Sequence, residues 1–252
     1  WKAKAPGREI TCVELSRHVE AIRALRVRRV MLTGGEPLLH RNLWALCSGL
    51  DALGIKITLV TTGLLIEPHA ADIASCIDTV VISLDGPREI HDSIRRVKGG
   101  FDRIAAGVMA LRAQLPVPRL IARSVVQRAN AHVVDETTMA AQRMGFDEIS
   151  FLAADVSSQA FNRQEPWPAD RIAEVAVPED DLPALEHSIA RALADPGQVD
   201  DGFLAGGRAS LDRIAGYYRA LAGLEPFPAV RCNAPWVSAV LAPGDRLRPC
   251  FF

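Results

Sequence analysis

Val30-Met31-Leu32-Thr33-Gly34-Gly35-Glu36-Pro37-Leu38-Leu39 is the stretch on which the reading of this chain turns. A short apolar run meets two glycines, an acid and a proline, and a helical pattern follows. Glycine lets the backbone approach a ligand closely and take up φ values that other residues avoid. Pro37 suits a first helical position and carries no amide hydrogen. Glu36 can hold a cation beside exposed backbone carbonyls. At the C-terminal end of a parallel strand, such a corner is built to grip the ammonium group of a small ligand.

Working outward, the first ~150 residues alternate strand and helix patterns in short units. Strands are predicted over residues 29–33, 55–61, 79–83, 119–126 and 148–153. Helices are predicted over 13–25, 42–53, 67–75, 101–114 and 133–144. Thr11 is placed as an N-cap and Gly54 as a C-terminal stop. Strand cores such as Val80-Val81-Ile82 are almost continuously apolar, as in a parallel sheet covered on both faces. Repeated right-handed βα units close into a barrel or remain an open wound sheet, and the pattern admits both. Residues 154–178 are predicted as a long loop carrying Phe161 and Trp167. A helix is predicted from Pro178-Glu179-Asp180-Asp181 to about Ala194, its first-turn acids suiting the positive helix end. Another is predicted over 207–222. The tail is predicted as a hairpin, with strands over 236–241 and 246–248 around Ala242-Pro243-Gly244-Asp245.

The chain has 252 residues, 49% hydrophobic and 23% charged, with a net charge of −1. These values fit one large α/β domain with or without a small appendage. No long basic run suggests nucleic acid or a membrane surface as partner, and no apolar run reaches transmembrane length. Trp1-Lys2-Ala3-Lys4-Ala5-Pro6 lacks the apolar core of a signal peptide. Five cysteines, an odd number, argue for a reducing, cytoplasmic compartment rather than a disulfide framework. Cys12, Cys47 and Cys76 are scattered singly and read as small buried hydrophobes.

Four strand ends carry the polar residues of one rim: Thr33-Gly34-Gly35-Glu36-Pro37, Thr61-Thr62-Gly63, Ser83-Leu84-Asp85-Gly86, and Arg123-Ser124-Val125-Val126 with Asn130 beyond. Each alone is ordinary turn chemistry. Together they could hold a zwitterionic amino acid and a ribose.

These motifs, with His91-Asp92-Ser93-Ile94-Arg95 just after the third, resemble the radical S-adenosylmethionine (SAM) superfamily. The resemblance is to the group with a C-terminal SPASM or twitch extension, which includes peptide maturases and enzymes of molybdenum-cofactor and heme d1 biosynthesis. It implies an α/β fold, a partial (β/α)6 barrel with a small hairpin-containing cluster domain. Residues 1–155 would form the core, 156–229 a loop and helical connector, and 230–252 the start of the auxiliary domain. By resemblance, Gly34, Gly35, Glu36 and Pro37 meet the methionyl amine. Ser83 and either Arg95 or Arg123 are candidates for its carboxylate. Thr61, Thr62 and Asp85 lie near the sugar, and Leu152 and Ala153 line the adenine. The implied cofactors are SAM, a [4Fe–4S] cluster and an auxiliary Fe–S cluster. The implied partners are a peptide or small-molecule substrate and an electron donor such as flavodoxin or ferredoxin.

In the tail, Cys232-Asn233-Ala234-Pro235-Trp236 leads through the hairpin to Arg248-Pro249-Cys250. Soft sulfur ligands suit iron–sulfur clusters, and the resemblance makes Cys232 and Cys250 the first ligands of the auxiliary cluster. The spacing is one residue longer than the family's, because its Asp-Gly reads Gly244-Asp245 here. The family's Cys-x3-Cys-x2-Cys loop is absent from the sequence, and the isolated Cys12 cannot replace it. The expectation is that the sequence is a fragment, with that loop and further tail ligands outside it. The rival is a cluster-free scaffold on the same fold that binds SAM or a peptide. A lyase or aldolase barrel would need a lysine at a strand end, whereas Lys56 is at a strand start and Lys98 in a loop. His40 is expected at the surface at a helix start, and His91-Asp92 is expected to be structural rather than an acid–base pair. Phe161 and Trp167 are expected to pin the long loop.

Overall fold

The computed structural model describes residues 9–157, 165–194 and 202–250, with Pro235 described by its backbone alone. Five strands form one parallel sheet: β1 Arg29–Leu32, β2 Lys56–Thr61, β3 Thr79–Ser83, β4 Arg119–Val126 and β5 Glu148–Ala153. Their spatial order is their chain order. A doubly wound sheet reverses direction at a switch point. This sheet never reverses, so it is the arc of a partial barrel, and the alternative that the sequence left open is resolved. Beyond β5, the Ile149 amide donates to Phe203 O at 2.8 Å and the Ala205 amide to Ile149 O at 2.9 Å, extending the arc by a bridge.

Register assigns the faces. Leu59, Val80, Leu120 and then Ile82, Ala122, Ile149 form rows on one face, and all six are fully buried. Fully burying one such aliphatic side chain contributes about 1.5–3 kcal/mol. Right-handed crossovers place the helices on this face: α3 Leu43–Asp51, α4 Ala70–Cys76, α6 Gly100–Arg112 and α7 Val134–Met144. The opposite, inner face carries Met31, Val60, Ser83, Arg123, Ser150 and Leu152. Met31 and Leu152 are each 49% exposed.

The predicted helix over 13–25 is two helices, α1 Cys12–Arg17 and α2 Val19–Ala24. Thr11 caps α1 as expected, in a reciprocal pair with Glu14. The break falls at His18, whose Nε2 lies 3.2 Å from Asp245 of the C-terminal hairpin. Local periodicity carries no trace of that distant contact. The helix α5 spans Arg88–Arg95. The long loop predicted over 154–178 contains a short helix, α8 Ala169–Val175, too brief to show a helical period. Phe161 lies outside the described residues. Trp167 packs partly against the core, with the Arg171 guanidinium 5.3 Å from its ring centroid.

Residues 156–229, expected as a connector, supply α9 Leu182–Ala192 and α10 Gly207–Leu221 to the same core through Leu185, Ile189, Leu211 and Tyr218. The Tyr218 hydroxyl donates to Val126 O at 2.7 Å and accepts from the Ala154 amide at 3.0 Å. It thereby fastens the upper ends of β4 and β5, and burial pushes its pKa upward.

In the tail, Trp236 belongs to a short helical turn, α11 Ala234–Val237, rather than to a strand, consistent with a proline in its first turn. The hairpin is β6 Val240–Ala242 with β7 Arg246–Arg248. Its tip docks on α1: the Gly244 amide donates to Glu14 Oε1 at 2.9 Å and Arg17 pairs with Asp245 at 2.7 Å. The Gly-Asp order that departs from the family spacing places both groups for this contact. No helix among the described residues is long and apolar enough to cross a membrane.

Candidate functional site

The site is built on the C-terminal ends of β1 to β5. After β1 the chain exposes Thr33, Gly34 and Gly35, while Pro37 and Leu38 turn inward. Gly34 has φ +153°, and a Cβ there would meet nothing within 4 Å, so its backbone faces open space. Pro37–Leu39 form a single 3-10 turn rather than the start of a longer helix, with Glu36 as its cap.

Glu36 is the hub of this corner. Its Oε1 accepts from Thr61 Oγ1 at 2.8 Å and from the Leu38 amide at 3.2 Å. Its Oε2 accepts from the Thr62 amide at 2.8 Å and from Thr62 Oγ1 at 2.5 Å. A carboxylate offers about four lone-pair sites, and protein donors meet all four. Glu36 therefore braces β1 against β2 and supplies fixed negative charge to the rim. A cation entering here would meet that charge together with the exposed Gly34-Gly35 backbone. Gly63 closes the corner at φ +88°, where an added Cβ would lie 2.7 Å from Ile82 and 2.8 Å from Ile104. Both backbone and space require glycine there.

The second acid is placed differently. Asp85, expected beside a sugar, is 2% exposed. Its Oδ2 accepts from Arg95 Nε at 2.6 Å and its Oδ1 from the Val125 amide at 3.0 Å. The Asp85 amide donates to His91 Nδ1 at 3.1 Å, and Asn130 donates to Asp85 O at 2.8 Å. The carboxylate is spent on joining β3, β4 and α5, which removes Asp85 from the open rim and ties up Arg95 with it. His91 accepts a hydrogen bond at Nδ1, which assigns a neutral ring with its proton on Nε2. Burial lowers its pKa, with the Asp85 charge opposing. Asp92 accepts from the Gly99 amide at 2.6 Å and the Phe101 amide at 2.8 Å, capping α6. Neither residue faces the rim as an acid–base pair would.

Ser83, Arg123 and Ser150 are register partners on one row of the inner face. Arg123 is largely desolvated, which lowers its pKa, while the Glu148 charge opposes the shift. Its Nε donates to Ser150 Oγ at 3.2 Å. Among the described residues no carboxylate lies within ion-pair distance of it, and Ser83 has no side-chain hydrogen bond. Of the two arginines proposed for a carboxylate, Arg123 is thus the one with donors to spare. Leu152 stands one pleat above Ser150 on the inner face, whereas Ala153 turns toward the core. Sequence reasoning passed over Ser150, whose only signal was its place two residues before Leu152 on an alternating strand.

His40 is not on the rim: its Nδ1 accepts from the Asn42 amide and its Nε2 reaches Ile10 O at 2.9 Å. Lys56 pairs with Asp78 at 2.6 Å at the opposite end of the sheet, so among the described residues no lysine stands at the C-terminal end of a strand for Schiff-base chemistry. Cys232 is exposed and Cys250 partly buried. No group of three metal-ligating side chains occurs among the described residues.

Comparison with known proteins places the chain in a family. The family model "Radical SAM superfamily" matches residues 2–137, more than half of the chain. The "AdoMet-dependent heme synthase" of Methanosarcina barkeri is 28% identical over 57% of this chain and 41% of its own length. A "GTP 3',8-cyclase" of Rhodopseudomonas palustris is 39% identical over 41% and 32%. The chain therefore spans well under half of these curated relatives. Among solved structures, native anSMEcpe with bound AdoMet and Cp18Cys peptide superposes with a TM-score of 0.60 at 17% identity, over 91% of this chain and 64% of that one. Streptococcus suis SuiB bound to its precursor peptide SuiA gives 0.57 at 16%, over 77% and 42%. At these identities the likeness establishes the partial-barrel fold.

Proposed function

Because the chain belongs to the radical SAM superfamily, we propose that its rim holds SAM for reductive cleavage and radical modification of a substrate. The observation that carries this reading is the row Ser83–Arg123–Ser150: a desolvated guanidinium with no ion-pair partner among the described residues, beside a hydroxyl that makes no hydrogen bond among them, across the rim from the Glu36 corner. A zwitterionic amino acid fits that polarity. Its carboxylate would take two donors from Arg123 and one from Ser83. Its ammonium would lie against the Gly34-Gly35 backbone and the negative Glu36 corner. Arg–carboxylate pairing gives direction as well as affinity.

SAM bound beside a reduced [4Fe–4S] cluster, whose ligands are not among the described residues, would supply the radical chemistry. The residues of this chain orient and shield. Glu36, held by four donors, fixes the positions of Thr61 and Thr62 and so the width of the sugar side of the rim. Leu152 offers an apolar surface to a base and keeps water from that edge. Preorganised placement of reactants is the protein's share of such chemistry. The described residues do not fit either iron–sulfur cluster, because no three ligating side chains gather. Cys232 and Cys250 are two thiols of one hairpin region and fall short of a ligand set.

A peptide substrate is favoured by the peptides bound in the two structural neighbours, and a small biosynthetic molecule by the cyclase and heme-synthase relatives. The electron would come from a flavodoxin- or ferredoxin-type donor in a reducing cytoplasm, in keeping with five cysteines of which none forms a disulfide. The test uses the full-length protein, reconstituted anaerobically with iron and sulfide. Calorimetry should show SAM binding that Arg123→Met and Ser83→Ala each weaken, and dithionite should then release SAM fragments. Binding that ignores both substitutions would overturn the site. Tight binding without cleavage would favour a cluster-free scaffold.

A further inference from the structure

Strand β5 sets two polar side chains beside Arg123. Glu148, Ser150 and Leu152 alternate with core residues and so share the inner face. Register puts Glu148 level with Ile121 and Ser150 level with Arg123. Glu148 thus stands one step below Ser150, diagonal to both Arg119 and Arg123. The two groups offer the Arg123 guanidinium different fates. A carboxylate would neutralise it, whereas a hydroxyl only holds it.

In the structure the hydroxyl has it. Arg123 Nε donates to Ser150 Oγ at 3.2 Å, and Ser150 Oγ donates to Ala122 O at 3.4 Å. Ala122 precedes Arg123 on β4, so the hydroxyl is anchored to the strand that carries the arginine. Glu148 is engaged elsewhere, with its Oε2 2.5 Å from Arg119 Nη2. Its charge still acts on Arg123 through space, opposing the desolvation that lowers the arginine pKa. A guanidinium has five N–H donors. Ser150 takes the one on Nε, and the donors on the terminal nitrogens make no hydrogen bond among the described residues.

We propose that Ser150 is a positioning residue: it holds the Arg123 guanidinium in the row of Ser83 and off Glu148, so that the terminal nitrogens stay available to a ligand carboxylate. The inference rests on the reading of the rim as a SAM site and gives Ser150 a role in it that acts through Arg123. Hydrogen bonds between ionised partners are about twice as strong as neutral ones, so Glu148 is the stronger attractor on this face. Without the Ser150 hydroxyl the guanidinium swings toward Glu148, and a ligand must separate that pair before it binds. The apparent Kd then rises as the fraction of unpaired Arg123 falls.

Calorimetric titration of SAM into the full-length protein, anaerobically reconstituted, tests this. Ser150→Ala should raise the SAM Kd roughly fivefold, about the worth of one hydrogen bond. Ser150→Thr keeps the hydroxyl and should bind as the unmodified protein does. Adding Glu148→Gln to Ser150→Ala should recover most of the lost affinity, because the competing charge is gone; a residue that merely supports the sheet would give no such recovery. On an Arg123→Met background, Ser150→Ala should change nothing further. Unchanged affinity in Ser150→Ala, with Arg123→Met still weakening binding, would overturn the inference and leave the SAM site standing. So would an equal loss from Ser150→Ala with and without Arg123, or no recovery on adding Glu148→Gln. Arg123→Met that binds SAM as tightly as the unmodified protein would instead remove the site itself, and the role of Ser150 with it.

Discussion

The Glu36 corner and the Asp85 corner begin from the same instruction and end in opposite states. Each follows a parallel strand, and each places an acid beside glycine. At Glu36 the surrounding donors are neutral: two threonine hydroxyls and two amides. Among the described residues no cation pairs with this carboxylate, and the corner lies beside the exposed Gly34-Gly35 edge. At Asp85 a guanidinium ten residues downstream returns to meet the carboxylate at 2.6 Å, and the carboxylate is sealed in while the Arg95 side chain stays 32% exposed. Among the described residues, the acid left on the open rim is the one that no cation of the chain reaches. The same difference separates Arg123, without a carboxylate partner, from Arg95, which has one.

Substitutions can break this contrast, and the largest effect is expected at the sealed corner. Asp85→Asn leaves Arg95 without its partner, and breaking a buried pair costs about 3 kcal/mol or more. The urea midpoint should fall accordingly, and a midpoint equal to that of the unmodified protein would show the corner to be dispensable. Arg123→Met should do the reverse. Losing a charged hydrogen-bonding partner removes about 2 kcal/mol of ligand affinity, or roughly 30-fold in SAM Kd at 1.4 kcal/mol per tenfold. The urea midpoint should hold or rise, because an unpaired desolvated charge has gone.

Glu36→Gln sits between the two. Its amide must turn NH2 toward two donors, at a cost of about 1–2 kcal/mol in stability, and SAM binding should weaken with it. Tyr218→Phe touches neither corner. It leaves Val126 O and the Ala154 amide without the hydroxyl, so about 1 kcal/mol should be lost with SAM affinity unchanged.

The smallest effect is one of pH. His91 is buried neutral with a lowered pKa, so the unfolded chain binds its proton more readily than the folded one. Its contribution to stability is complete above the ordinary histidine pKa and declines as pH falls from there toward the depressed folded value. The Asp85 and Asp92 charges favour the imidazolium and keep this contribution small. Denaturation midpoints between pH 7 and 5 should show a shallow loss that His91→Gln reduces.

Much of the fold was written locally. The strands β2 to β5 follow the apolar runs closely, because a buried parallel strand needs little beyond continuous hydrophobicity. The row of Ser83, Arg123 and Ser150 was half visible: Ser83 and Arg123 stand out as polar residues at strand ends, but only register shows that they share a face. What the sequence could not show depends on distant partners. Asp85 looks like a rim residue until Arg95 and the Val125 amide are brought to it. His18 looks helical until Asp245 arrives. Residues 156–229 look like a connector because the partners of α9 and α10, on α7 and β5, lie elsewhere in the chain.

The docking of the hairpin tip on α1 has a consequence for the order of events during synthesis. Arg17 and Asp245 are 228 residues apart in the chain. Closing so long a loop carries a large entropic penalty unless other contacts have already shortened the path. A growing polypeptide can assemble the parallel arc well before Asp245 leaves the ribosome. The junction between α1 and α2 therefore takes its final bend only when the hairpin tip arrives, after the strands of the arc have been made.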